Sequence, residues 1–90
     1  MKDHQKIQFN TEVWRENGLY VSYVPQLDLS SCGKTLAEAK ANIKVATELF
    51  IEEAEALGTL SEILEEAGFS FHHGWKGPEL VAVEKMQLAF

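Results

Sequence analysis

At Thr35 the spacing of the apolar residues changes, and that change limits the possible fold more than any other feature of the chain. Ahead of it, in KIQFNTEVW, Ile7, Phe9, Thr11 and Val13 alternate with Gln8, Asn10 and Glu12. A period of two describes a strand with one wet face. Beyond it, Leu36, Ala39, Ile43, Ala46, Phe50 and Leu57 recur at steps of three and four, or sums of them. That spacing draws one apolar stripe along a long helix. Strands followed by helices in this way make an α+β domain.

The first part divides into three strands. Asn17-Gly18 joins residues 6–14 to Leu19–Val24. Both residues tolerate positive φ, so the pair predicts a two-residue hairpin. Pro25 has no amide hydrogen to give to a ladder and ends the second strand. Leu27–Cys32 is the third, with Leu27 and Leu29 on one face and Asp28 and Ser30 on the other. After the long helix Gly58 suits a C′ position. A shorter helix follows from Leu60 to Ala67, with Leu60, Ile63, Leu64 and Ala67 inward and Gly68 closing it. Residues 70–78, SFHHGWKGP, read as loop. Glu79–Phe90 regains strand character, and LVAV predicts a strand that joins the sheet after the helices cross one face. The expected order is β-β-β-α-α-β: a three-stranded antiparallel sheet plus a C-terminal strand, helices on one face, residues 1–90 forming a single domain.

Ninety residues bury only about 60–65% of their unfolded surface, so partners add stability to such a chain. One cysteine excludes an internal disulfide framework and a Cys-paired zinc site. MKDHQKIQF has no apolar signal-peptide core, and no apolar run approaches the ~20 residues of a membrane span. A cytoplasmic location without a membrane partner is expected. The net charge of −6 disfavours direct nucleic-acid binding and favours a basic protein partner.

Gly33-Lys34-Thr35 looks like the end of a phosphate loop, but Asp28 stands where the first glycine of GxxxxGK[ST] belongs. The capping reading fits better. Thr35 and Glu38 make T-x-x-E, in which the threonine oxygen accepts from the Glu38 amide and the Glu38 side chain reaches back to the Thr35 amide. Gly33 then supplies the turn out of the third strand, and Thr59 with Glu62 repeats the box. Cys32 lacks the histidine base that a nucleophilic thiol uses, since His4, His72 and His73 stand in no recognisable context; it reads as a small half-buried side chain. Adjacent histidines on a strand point to opposite faces, so His72-His73 makes a poor chelate. Trp75 is either an aromatic anchor or a partner contact, and its neighbours do not choose between these. Glu12 and Asp28 have no third group or oxyanion loop beside them. No catalytic residue, metal ligand or cofactor is assigned.

The acidic run says more. Glu48, Glu52, Glu53, Glu55, Glu62, Glu65 and Glu66 fall in one segment, with no Lys or Arg between Lys44 and Lys76. A solvated helix supported by i,i+4 pairs would alternate in sign. A single-signed field suits steering of a basic partner. Glu48, Glu52, Glu55, Glu62, Glu66 and Trp75 are the candidate partner contacts.

Gly33, Thr35, Glu38 and Ala39, followed by Asn42 and Ala46, resemble the G-x-T-x-x-E-A-x-x-N-x-x-x-A signature of HicB-like antitoxins. Upstream, Gly18-Leu19-Tyr20-Val21 and Pro25-Gln26-Leu27 are similar to that family's G-x-[aromatic]-V…P-[acid]-L pattern. The resemblance runs over roughly residues 7–57. It implies a truncated ribonuclease-H-like domain that is not catalytic. It also implies a small basic HicA-like toxin as partner, an mRNA-cleaving enzyme whose active site is masked, and self-association as a dimer or higher oligomer. The chain departs from the family in three places. PQLDLSS replaces the P-D-L-P-G turn, residues 59–69 form an acidic helix in place of a Pro-rich linker, and the sequence stops at Phe90 without the C-terminal DNA-binding segment of many members. Direct DNA binding is therefore not expected. Two other readings have their own signatures. A solitary self-associating or small-ligand module would show an apolar pocket beside Trp75. A metal-dependent nuclease would show carboxylates converging on the sheet to hold Mg²⁺.

Overall fold

The computed structural model describes residues 6–90; His4 lies outside the described residues. The chain folds as α+β. Three antiparallel strands, β1 (Glu12–Glu16), β2 (Leu19–Val24) and β3 (Leu29–Gly33), form a sheet in chain order. Helices α1 (Leu36–Leu57) and α2 (Leu60–Glu66) follow, and two-residue strands β4 (Ser70–Phe71) and β5 (Trp75–Lys76) make a separate hairpin.

Asn17 at φ 54° and Gly18 at φ 81° form the tight turn that pairs Glu16 with Leu19. The register then fixes two faces. Val13, Ser22 and Ser31 lie in one row across the sheet, while Trp14, Val21 and Cys32 lie in the next and point the other way. On the first face Ser22, Val24 and Gly33 are buried. This is the face that α1 covers, resting on β3 and β2. Among the described residues the Ser22 hydroxyl has no hydrogen-bond partner, although its residue is fully buried. Such an orphan costs about 1–3 kcal/mol.

The first strand is shorter than its alternation predicts. Counting back from the pair Glu12–Tyr23, Asn10 would meet Pro25, which has no N–H. The chain also turns away there: the Leu27 amide donates to the Val24 carbonyl and the Asp28 amide to that of Pro25. Asn10 donates instead to the Gln26 side chain at 3.3 Å. The same turn takes Leu27 and Asp28 out of the third strand, with Asp28 at φ 54°.

The N-terminus of α1 is capped as the sequence predicts, with one arm displaced. The Glu38 amide donates to Thr35 Oγ1 at 3.0 Å, but the Glu38 carboxylate accepts from the Lys34 amide, not from that of Thr35. Gly33 belongs to β3 and has no positive φ; it is glycine because a Cβ there would sit 2.6 Å from the Ala39 nitrogen. Asn42 ties the same corner by donating to the Cys32 carbonyl at 2.8 Å. Gly58, at φ 77°, closes α1 in a Schellman arrangement, its amide bonding Glu55 while the Thr59 amide bonds Ala54. Gly68 repeats the arrangement on α2, where the Phe69 amide bonds Leu64. Thr59 makes no side-chain cap; its hydroxyl turns back to the Ala54 carbonyl at 3.4 Å.

The helix stripe is corrected in two positions. Ala39, Ile43 and Ala54 are buried, whereas Leu36 and Leu57 are exposed. On α2, Leu64 is buried and Leu60 and Ile63 half-buried. The expected C-terminal strand is absent from the sheet. Residues 79–90 carry no ladder, and Val81, Val83, Met86 and Leu88 stand exposed. Apolar composition predicts that such a segment is covered by something; it does not make an edge of this sheet the cover. The segment read as loop holds β4 and β5, closed by His73 at φ 61° and Gly74.

Candidate partner-binding surface

Glu48, Glu52 and Glu55 lie on one ridge of α1, because steps of four and three return to one side of a helix. Glu62 and Glu66 make a second short ridge on α2. All five are exposed. Neither helix has a basic residue in its last turn. A helix C-terminus already carries about half a negative charge, and carboxylates beside it cost rather than contribute, typically 0.3–1 kcal/mol each where a cation would stabilise. Both helices therefore concentrate negative potential at ends where folding alone favours lysine or arginine. The basic residues of α1, Lys40 and Lys44, stand toward its other end.

Trp75 does not join these ridges. It is half-buried in the small hairpin, where it meets Phe71 edge-on at 5.3 Å between ring centroids. It lines a cleft of about 500 Å³ with Lys6, Gln8, Asn10, Gln26 and Lys76. That lining, which also takes in Pro78 and Leu80, is more polar than apolar, unlike the apolar pocket that a small-ligand module would show beside Trp75. His72 and His73 are exposed in the hairpin loop. Among the described residues no three His, Cys, Asp or Glu side chains gather so as to hold a metal ion. Also among the described residues, no helix is long and apolar enough to cross a membrane.

Gly33, Thr35, Glu38, Ala39 and Asn42 come together at one corner, each with a folding task. Ala39 is fully buried beneath the Gly33 backbone, where a larger side chain has no room. Their contacts describe a joint between strand and helix.

Two surfaces escaped the sequence reading. One is the open face of the sheet, where Trp14 stands edge-on to Tyr23 at 6.2 Å beside Leu19 and Val21. Cys32 belongs to this face and is exposed, not half-buried as expected. Its signal was present in the alternation of β2, whose two sides are both apolar. The other is an apolar groove of about 710 Å³ between α1 and the segment before β1, floored by Ile7, Phe9, Val24, Ile43 and Ile51. The Ile43–Ile51 spacing of two helical turns carried that signal.

On the open face Tyr23 donates to Asp28 Oδ1 at 2.8 Å. This bond, with desolvation and the Asp28 and Glu12 charges behind it, raises the phenol above its ordinary 10.0. A raised phenol means that the fold prefers the protonated form. Its stabilising contribution is complete below pH 10 and is lost as the pH climbs through the folded-state value. Ultraviolet titration of Asp28→Asn should return one of the two tyrosines toward its ordinary value. An unchanged titration curve would remove Asp28 as the cause.

Comparison of the chain with protein-family models, with curated proteins and with solved structures gives no match.

Proposed function

We propose that this chain is a HicB-like antitoxin: a non-catalytic, self-associating cytoplasmic protein that binds and neutralises a small basic HicA-like mRNA-cleaving toxin. The carrying observation is the exposed acidic surface of α1 and α2, with no basic residue in the last turn of either helix. Carboxylates held there suit the positions that RNA phosphates take on a basic nuclease. The motif from Gly33 to Asn42 supports the reading in sequence, and three antiparallel strands followed by a long helix are compatible with a truncated ribonuclease-H-like domain. The absent fourth strand leaves that finer fold assignment to the proposal. Among the described residues, the strand acids Glu12 and Glu16 join no group of three metal-ligating side chains.

The test is titration calorimetry against a HicA-like toxin at low and at moderate salt. A complex should form and weaken steeply as salt rises. Changing Glu48, Glu52, Glu55, Glu62 and Glu66 together to glutamine should raise the Kd by about tenfold or more at low salt, on the order of 1.4 kcal/mol. No complex at low salt would defeat the reading. A complex indifferent to the five changes would move the interface away from the acidic helices.

A further inference from the structure

We propose that residues 80–90 form an exchange arm: in a dimer, the arm of each copy lies in the apolar groove of the other, between α1 and segment 6–11. The proposal rests on the self-association named above and not on toxin binding.

The arm leaves the body at a fixed point. Gly77 is pressed so close to the Phe69 ring that a Cβ would lie 2.8 Å from it, and Pro78 lies against Gly68. Phe69 is itself buried and packs on Phe9 at 5.3 Å. Past Glu79 the chain makes no backbone hydrogen bond to another described residue. Val81 is 86% exposed, Met86 83% and Phe90 wholly so. Leu80, Ala82, Met86, Leu88 and Phe90 fall on alternate positions, so a strand drawn through them has one apolar side broken only by Glu84.

The groove offers what that side needs. Its floor is Ile7, Phe9, Val24, Ile43 and Ile51, and its rim carries both signs of charge, in Lys40 and Lys44 against Glu48 and Glu52. The Glu84-Lys85 pair of an incoming arm meets an opposite charge in either direction.

The occupant is a second copy because of where the arm starts. Within segment 6–11, Ile7, Phe9 and Thr11 line the groove, Asn10 lines the neighbouring cleft, and Lys6 and Gln8 line both. Glu79 and Leu80 line that cleft and not the groove. In the monomer no residue of the arm lines the groove, whose described lining is left open to the arm of a partner. The area agrees. Four large apolar side chains on that side, Leu80, Met86, Leu88 and Phe90, at roughly 60–120 Å² each, counted for two arms and the grooves beneath them, come to roughly 1,000–1,900 Å², within reach of a specific interface.

The test is light scattering behind size exclusion on the full chain at micromolar concentration. Wild type should run at twice the 10.1 kDa chain mass. Met86→Asp with Leu88→Asp on the arm, and Ile51→Asp in the groove, should each weaken the dimer by about tenfold or more. Far-UV circular dichroism should be unchanged in the arm variant, whose side chains are exposed in the monomer. In a Cys32→Ser background, one copy with Thr47→Cys and another with Leu88→Cys should form a mixed disulfide on oxidation. A dimer untouched by the arm and groove variants would overturn the exchange and leave self-association standing. A monomeric wild type would overturn both. A disulfide forming only within one chain carrying both cysteines would overturn the exchange in favour of an arm folded on its own body.

Discussion

Leu64→Ala is expected to cost about 2–5 kcal/mol, the range for truncating a large buried aliphatic side chain. Leu64 is 0% exposed and is the buried anchor of α2. A helix of seven residues has no independent stability in water, so it holds its shape through what it buries. Its carbonyl also receives the Phe69 amide, so loosening Leu64 loosens the Schellman turn and the aromatic contact with Phe9. A domain of this size has total stability of about 5–15 kcal/mol. The midpoint of thermal unfolding should therefore fall by roughly 10–30 °C, at about 4–8 °C per kcal/mol. Leu57→Ala, at a position 70% exposed, is the control and should move it by only a few degrees. Equal effects at the two positions would mean that α2 does not pack as described.

Gly33→Ala should cost about 1–3 kcal/mol through overpacking alone. The added methyl meets backbone at Ala39 and the base of the Glu38 side chain, at 2.6–2.8 Å, and neither can swing aside. Relief requires moving the first turn of α1 away from β3. That movement stretches the Asn42–Cys32 hydrogen bond and uncaps Thr35. Urea unfolding gives the size of the loss. Hydrogen exchange gives its location, with faster exchange expected at residues 36–43 and little change in the β1–β2 hairpin. A variant within about 0.5 kcal/mol of wild type would show that the joint has slack.

The Gly33 result bears on how much of the molecule could be read beforehand. The glycine, threonine, glutamate and asparagine of the motif were legible as a unit, and the helix start followed from them. Their reason was only half legible. Gly33 reads as a turn residue in sequence, whereas its contacts make it a site of close approach between a strand and a helix packed on it. Asn17-Gly18, Gly58 and Gly68 were fully legible because a hairpin turn or a helix end is decided within a few residues. What depended on distant partners was not. The first strand lost its opening half because Pro25, fifteen residues on, cannot pair with Asn10. The fate of LVAV required knowing which apolar surface remains free after folding, and no local pattern holds that information. The acidic run was legible as a composition, but which of its members stand beside a helix C-terminus, as Glu55 and Glu66 do, needed the helix bounds.

The strand order of the sheet carries a last consequence. Because β1, β2 and β3 pair in chain order and α1 returns at once onto β3, each of these pairings is met by closing a short loop, and the Phe9–Phe69 contact is left as a long closure. Short loops cost little entropy to close, and domains with local topology fold fast. The hairpin at Asn17-Gly18 can form, and the helix can cap on Gly33, before residues 80–90 have been synthesised. None of these closures draws on residues 80–90, so changes in the arm should leave them unaffected.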